Sequence, residues 1–149
     1  MVISSNYVRA MATAKYFVKN NKLNIVEDFG ERRFGIDDYK DIPIDFYERQ
    51  LEEDDYKIGQ GESQKAVRER MSKALLEVVN NNEGKTILIV SHHTAIIFLL
   101  KKWCSIKNNK YLLYKDKVIL ENGCRNCETV KLLFKDGELI EIENMEVCE

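Results

Sequence analysis

The sequence predicts an α/β protein with a three-layer αβα arrangement, in which helices cover both faces of a mostly parallel sheet. The run Ile87–Val90 is apolar at every position, which is typical of a short strand buried on both faces. An apolar helix over Ala95–Trp103 follows almost at once. Near the start of the chain, a strand over Val2–Ser5 precedes a helix over Tyr7–Lys19 in the same order. Strand-to-helix order at both places favours a sheet covered by helices.

The middle of the chain predicts a short strand, a charged loop and two helices. Asn24–Glu27 is the short strand, and residues 29–42 form the loop. Pro43 suits the first turn of a helix that runs to about Asp54. Ser63 is placed to cap the longest helix, which repeats apolar residues at helical spacing as far as about Asn80.

The last third of the chain predicts strands. Val118–Leu120 has the composition of a strand, and Thr129–Phe134 and Glu138–Ile142 flank a hairpin signal, Lys135-Asp136-Gly137. The chain contains no internal repeat, low-complexity tract or linker. It therefore predicts a single domain over residues 1–149.

Composition excludes several functional classes. The 149 residues carry a formal charge of -2, with basic and acidic residues interspersed, which argues against a nucleic-acid partner. The amino terminus resembles no signal peptide, and no segment approaches the roughly 18 consecutive apolar residues of a membrane span. Four cysteines in a chain of this kind suggest free thiols in a reducing compartment. We expect a soluble, cytoplasmic protein with no membrane partner.

Three side chains are candidates for chemistry on an anion. His92 follows the buried strand and precedes a helix, and ligands bind at such carboxyl ends of parallel strands. Arg9 lies in the first turn of the first helix, where a guanidinium could bind phosphate bidentately. Glu31 lies in a loop bounded by Gly30 and Gly35, where a carboxylate could act as general acid. Taken singly, Arg9 and Glu31 also fit ordinary surface charges, and His92 fits a core histidine.

The order of these residues gives the chain a family resemblance. The chain resembles the histidine phosphatase superfamily, the phosphoglycerate mutase-like group, in five elements: Ser4-Ser5-x-x-x-Arg9-Ala10-x-x-Thr13-Ala14, Glu31-x-x-x-Gly35, Gly61-Glu62-Ser63, Arg70 and Val90-Ser91-His92. The resemblance extends over nearly the whole chain. It implies hydrolysis of a phosphomonoester, or a phosphoglycerate mutase-type transfer, through a phosphohistidine.

The resemblance also implies a role for each candidate. Arg9 would bind phosphate, Glu31 would protonate the leaving oxygen and then help to activate water, and His92 would bind the transferring phosphoryl group. Such roles suit phosphoryl transfer, in which a protein mainly positions groups and neutralises charge. The implied partner is a phosphorylated small molecule or phosphate, and no metal or other cofactor is implied.

One departure from the family pattern limits this expectation. The family's nucleophile is a histidine in an Arg-His-Gly motif on the first strand, upstream of the segment matched by Ser4-Ser5. This sequence holds only His92 and His93, and it has no Arg-His-Gly. Neighbouring side chains leave the backbone in different directions, so we expect His93 at the surface or the pocket rim rather than in the nucleophile's place. The chain is therefore expected to lack the first strand and to keep an anion pocket with little or no activity. Whether it is an enzyme stays open.

A missing inner strand would have a structural consequence. It would leave two open hydrogen-bonding edges and bare apolar side chains, and exposed edges and patches promote association. We therefore expect a homo-oligomer. The alternatives are a fragment of a longer natural protein, or a sequence that starts at an internal methionine.

The cysteines leave a second class of function open. Cys124 and Cys127 have the spacing of a redox dithiol or of half a zinc site. A structural zinc site normally has a second pair, whereas Cys104 and Cys148 are far apart in sequence. The alternatives to a phosphatase-like protein are a thiol or metal protein and a non-catalytic binding or assembly protein.

Overall fold

The computed structural model describes residues 1–19 and 22–145, which form eight strands and four α-helices. Their order is β1 (Val2–Ser4), α1 (Val8–Ala14), β2 (Asn24–Ile25), α2 (Phe46–Glu52), α3 (Gln64–Asn80), β3 (Leu88–Val90), α4 (His93–Leu100), β4 (Ser105–Lys107), β5 (Tyr111–Tyr114), β6 (Lys117–Glu121), β7 (Thr129–Lys135) and β8 (Glu138–Met145). Short 3-10 turns cover Lys15–Phe17, Glu27–Phe29 and Tyr39–Asp41.

The parallel sheet has the order β2-β1-β3, with Ile3 opposite Ile89 in the register of β1 and β3. Ile3 packs with apolar side chains of α3 and α4. Helix α1 packs on the same strands through Ala10 and Ala14, which are buried outside that apolar cluster. The predicted α/β class and its strand-to-helix units are confirmed.

Strand β3 forms one edge of this sheet. The Leu88 N–H donates to the Met1 carbonyl at 3.0 Å, and the Ser5 N–H donates to the Val90 carbonyl at 3.1 Å. Backbone groups alternate in direction along a strand, so the N–H and carbonyl of Ile89 point away from β1. Within the described residues, no other strand pairs with that outer edge.

The remaining five strands are antiparallel. They form a three-stranded sheet, β4-β5-β6, and the hairpin β7-β8. The turn predicted at Asp136-Gly137 is confirmed, with both residues at positive φ. Strands β4 and β5 were not predicted, because their turns contain no glycine. Lys115 and Asp116 adopt φ values of 48° and 64° between β5 and β6.

Most helix predictions are confirmed, with shifted ends. The Ser63 hydroxyl accepts a hydrogen bond from the Ala66 N–H at 3.1 Å and caps α3 as expected. Helix α1 ends at Ala14 and tightens into a 3-10 turn, so the predicted helix to Lys19 was too long. Helix α2 begins three residues after Pro43.

Two expectations extend beyond these observations. The single domain over residues 1–149 stays a prediction. Among the described residues, no helix is long and apolar enough to cross a membrane.

Candidate functional site

The candidate site lies where β1 and β3 end and α1 and α4 begin. Residues Ser5 and Ser91 directly follow the two neighbouring strands, and His92 is the N-cap residue of α4. The Ser91 hydroxyl donates to the Phe29 carbonyl at 2.7 Å, which holds the loop after β2 against this end of the sheet. The parallel pairing of β1 with β3 therefore brings together side chains that are far apart in sequence.

His92 is buried at the centre of this arrangement. Its Nε2 lies 2.8 Å from the Ser5 hydroxyl oxygen, and its ring meets the Tyr7 ring edge-on at a centroid distance of 4.7 Å. Burial lowers the pKa of His92, the positive charges of Arg9 and Arg70 lower it further, and Glu31 opposes them.

Arg9 reaches this site through Tyr7. Its guanidinium carbon lies 4.8 Å from the centre of the Tyr7 ring, which also contacts the His92 ring. Arg9 is exposed, and among the described residues no carboxylate lies within 4.0 Å of its guanidinium nitrogens. Among residues 1–19 and 22–145, the cation is thus held near the histidine without a carboxylate that would neutralise it.

The Glu31 side chain contacts the first turn of α4. Its Oε1 accepts hydrogen bonds from the backbone N–H of Arg32 at 2.9 Å and from that of Ala95 at 3.1 Å. A carboxylate at a helix N-terminus satisfies unpaired N–H groups and interacts favourably with the helix dipole. The structure therefore brings all three candidates, Arg9, Glu31 and His92, to one end of the sheet.

A buried ion pair between Arg70 and Glu62 holds the start of the loop that carries Glu31. Arg70 donates to both oxygens of Glu62, from Nε at 2.8 Å and from Nη2 at 3.0 Å. Its Nη1 also donates to the carbonyls of Asp28 at 2.6 Å and Gly30 at 3.3 Å. Burial acts to raise the pKa of Glu62, but the hydrogen bonds from Arg70 and Arg33 lower it overall.

Two glycines allow the backbone around Glu62 to approach residues 33–35 closely. The Arg33 N–H donates to Glu62 Oε2 at 3.0 Å, and the Glu62 N–H donates to the Arg33 carbonyl at 2.7 Å. A Cβ at Gly61 would overlap the carbonyl of Phe34, and a Cβ at Gly35 would overlap the backbone of Gly61. The segment Gly61-Glu62-Ser63, which precedes α3, therefore makes a close backbone contact with residues 33–35.

His93 faces away from His92. Its Nδ1 lies 2.6 Å from the Cys124 carbonyl oxygen, and its ring covers Gly123, where a Cβ would overlap the ring. His93 is exposed and helps to line a shallow cavity of about 280 Å³ beside β5 and β6. It does not share the position of His92.

The cysteines do not gather into a site in the described part of the chain. Cys104 and Cys124 are buried and Cys127 is exposed, and all three are free thiols. Burial raises the pKa of Cys104 to about 11 and also raises that of Cys124, which makes both poor nucleophiles. Between residues 1 and 145, outside the gap at 20–21, no cluster of three metal-ligating side chains occurs. Cys148 lies outside the described residues.

Three residues near His92 were not given a role from sequence. Ser5 and Arg70 were noticed only as parts of the resemblance, and Tyr7 was noticed only as a helix start. Ser5 carries one usable signal, because it occupies the carboxyl end of a strand, as His92 does. Tyr7 carries none.

The fold and the site define an α/β protein that presents a buried histidine and an exposed arginine at the carboxyl ends of parallel strands. The chain belongs to the histidine phosphatase superfamily, branch 1, whose family model matches residues 1–140. A comparison with curated protein sequences finds no match.

Solved structures with a similar fold are phosphatases and hydrolases. A phosphoserine phosphatase mutant from Entamoeba histolytica, in complex with phosphoserine, matches with a TM-score of 0.66 and 21% identity over 96% of this chain and 73% of that one. A mycobacterial glucosyl-3-phosphoglycerate phosphatase matches with a TM-score of 0.65 and 15% identity over 97% and 75%. A mycobacterial hydrolase matches with a TM-score of 0.57 and 19% identity over 69% of this chain. This chain spans only 56% of that hydrolase's length.

Proposed function

We propose that this chain binds the phosphoryl group of a phosphorylated small molecule, or phosphate itself, where Arg9, Glu31 and His92 converge. The observation that carries the proposal is the exposed Arg9 guanidinium beside a buried histidine, with no carboxylate within 4.0 Å of it in the described part of the chain. A cation held without a carboxylate partner is available for an anionic ligand, and guanidinium groups suit phosphate geometry. Membership of the histidine phosphatase superfamily supports a ligand of this class.

The local field supports an anion at this place. Two arginines, Arg9 and Arg70, act on His92 strongly enough to lower its pKa further than burial alone. The helix that starts after His92 adds the partial positive charge of its N-terminus. Glu31 accepts the Ala95 N–H at 3.1 Å, so a negative group already lies at that N-terminus.

Glu31 is proposed as the proton-transferring group of the site. Its Oε1 is held by two backbone N–H groups, so the carboxyl has a fixed position at the end of the sheet. The family resemblance implies that such a carboxyl protonates a leaving oxygen. General acid catalysis requires a carboxyl within hydrogen-bonding reach of that oxygen.

Turnover is proposed to be weak or absent from the residues of this chain. A covalent route needs a nucleophile besides the phosphate-binding histidine. His92 is the one histidine at the site, since His93 is bonded to the Cys124 carbonyl and faces β6. The sequence contains no Arg-His-Gly to supply another.

The experiment compares phosphate binding and phosphatase turnover in the same purified protein. Isothermal titration with inorganic phosphate should show binding that Arg9→Gln weakens about tenfold or more, because a hydrogen bond between charged groups is lost. Arg49→Gln is the matched control, since it removes the same charge from an arginine that pairs with Glu53 on α2. Equal weakening by both variants, or no binding by the wild type, would contradict the proposal.

Turnover is measured with p-nitrophenyl phosphate. We expect no hydrolysis above background. Hydrolysis by the wild type that His92→Ala abolishes would show that the weak-turnover part of the proposal is wrong while supporting the site itself.

We also propose that a second copy of the chain pairs with the outer edge of β3. The specific observation is that the N–H and carbonyl of Ile89 have no partner among the described residues and lie next to half-buried apolar strand residues. Unpaired edges of this kind are templates for another strand. Sedimentation velocity over a concentration series should show a dimer.

Hydrogen exchange provides the local test of this pairing. The Ile89 amide should become protected as concentration rises, whereas the Leu88 amide, bonded to the Met1 carbonyl, should stay protected throughout. A monomer at all concentrations with a fast-exchanging Ile89 amide would overturn the proposed association.

A further inference from the structure

Ser5 and His92 form a buried pair that the phosphate-binding role alone does not explain. Ser5 is fully buried at the end of β1, and its hydroxyl oxygen lies 2.8 Å from Nε2 of His92. The backbone N–H of Tyr7 also points at that hydroxyl, at 3.4 Å. The two residues are 87 positions apart in sequence, so only the pairing of β1 with β3 creates this contact.

The hydrogen-bonding inventory decides which of the two groups donates. A serine hydroxyl has one hydrogen and two lone pairs, and the Tyr7 N–H takes one lone pair. Within the described residues, the only acceptor in reach of the Ser5 hydroxyl is Nε2 of His92. If Nε2 carried a hydrogen, the hydroxyl hydrogen would be buried without an acceptor, at a cost that proteins avoid. The hydroxyl therefore donates, and Nε2 accepts.

An accepting Nε2 fixes the state of the whole ring. The neutral imidazole then carries its hydrogen on Nδ1. Among the described residues, the one buried side-chain polar atom without a partner is the Ser72 hydroxyl oxygen. Nδ1 of His92 has no protein partner there and is not in that buried group, so it faces accessible space. The Nδ1–H is thus a free donor at the site.

We propose that Ser5 is a positioning residue, whose hydroxyl holds His92 as the Nδ1–H tautomer and turns that N–H towards a bound phosphoryl oxygen. This inference rests on the proposed function for its second half only. Burial and the charges of Arg9 and Arg70 lower the pKa of His92 and so favour the neutral ring that the hydroxyl selects. An anion is then bound by an N–H without requiring the ring to be charged.

The test reads the tautomer directly by two-bond ¹H–¹⁵N correlation spectra of the histidine ring, in phosphate-free buffer near pH 8. Wild-type His92 should show the Nδ1–H pattern. Ser5→Ala should shift it towards the Nε2–H pattern, because Nε2 loses the donor that excludes a hydrogen there. Ser4→Ala is the matched control: Ser4 is an equally buried serine on the same strand, and its hydroxyl donates instead to the Ser5 carbonyl at 2.9 Å.

His93 provides an internal standard in the same spectra. Its Nδ1 faces the Cys124 carbonyl, which can only accept, so His93 should show the Nδ1–H pattern in every variant. A wild-type His92 in the Nε2–H form, or a Ser5→Ala spectrum identical to wild type, would overturn the inference.

Phosphate binding separates this inference from the proposed function. Ser5→Ala should weaken phosphate binding about fivefold, the effect of one hydrogen bond, and Ser4→Ala should leave it unchanged. A wild-type Nδ1–H tautomer without phosphate binding would refute the proposed function and support the tautomer assignment. Phosphate binding with unchanged affinity and tautomer in Ser5→Ala would refute the role of Ser5 and support the proposed function.

Discussion

Arg70 and Arg9 both act on His92, but their environments are opposite. Arg70 is largely buried and makes a two-point contact with Glu62, whose remaining capacity is used by Arg33. Arg9 is exposed, touches the Tyr7 ring and has no carboxylate within 4.0 Å among the described residues. The same side-chain type therefore completes a buried ion pair in one region, whereas in the other its charge is available for the ligand that we propose. A list of ion pairs alone does not reveal that difference, because the arginine that we propose to bind the ligand has no carboxylate within 4.0 Å among the described residues.

Loss of the ion pair between Arg70 and Glu62 should have the largest effect on stability. Glu62→Gln replaces a carboxylate that accepts four hydrogen bonds with an amide that presents N–H groups to Arg70 and Arg33. We expect the free energy of unfolding to fall by about 3 kcal/mol, as for a buried ion pair that loses one partner. Urea denaturation measures this. Glu69→Gln, on an exposed position of α3, is the control and should change stability by less than about 0.5 kcal/mol.

The glycine contact beside Glu62 should have the next largest effect. Gly61→Ala places a methyl group against the Phe34 carbonyl and separates the two loops that Glu62 joins. Overpacking of this kind costs about 2 kcal/mol. Gly84→Ala is the comparison, because Gly84 has a φ of +72° but open space around it, so only backbone strain of about 1 kcal/mol is added. A smaller loss for Gly61→Ala than for Gly84→Ala would show that the loops are not in tight contact.

Burial of His92 beside Arg9 should make the stability of the protein depend on pH. The pKa of His92 is lowered by burial and by the positive charges around it, so the unfolded chain takes up a proton before the folded one does. The His92 contribution is complete above about pH 6.5, the ordinary histidine value, and is lost as pH falls through the lower folded-state pKa. Denaturation curves between pH 8 and 5.5 should show this decline, and His92→Gln should reduce it. An unchanged decline in His92→Gln would assign it to other groups.

The same comparison shows what sequence can and cannot predict. The strand-to-helix units around β1 and β3 were predictable because consecutive apolar residues and helical spacing are local patterns. Arg9 and His92 were selected because of their place relative to those units, and Glu31 because of its place in a glycine-bounded loop. The hydrogen bond between Ser5 and His92 could not be predicted, because it joins residues 87 positions apart and depends on the register of β1 and β3. Strands β4 and β5 were missed because non-glycine residues such as Asn108 and Lys115 adopt positive φ in their turns.

The smallest effect on stability should come from Arg9→Gln, although this residue matters most to the proposed function. The Arg9 guanidinium contacts the Tyr7 ring and forms no ion pair with any described residue, so we expect the free energy of unfolding to change by less than about 0.5 kcal/mol. Removal of its charge should nevertheless raise the pKa of His92 towards the ordinary histidine value, because one of the two repelling cations is gone. An NMR titration of the His92 ring in Arg9→Gln, with Arg49→Gln as the control, measures that shift. If Arg9→Gln destabilised the protein as much as Glu62→Gln does, Arg9 would have a structural role like that of Arg70. The proposed difference between the two arginines would then be wrong.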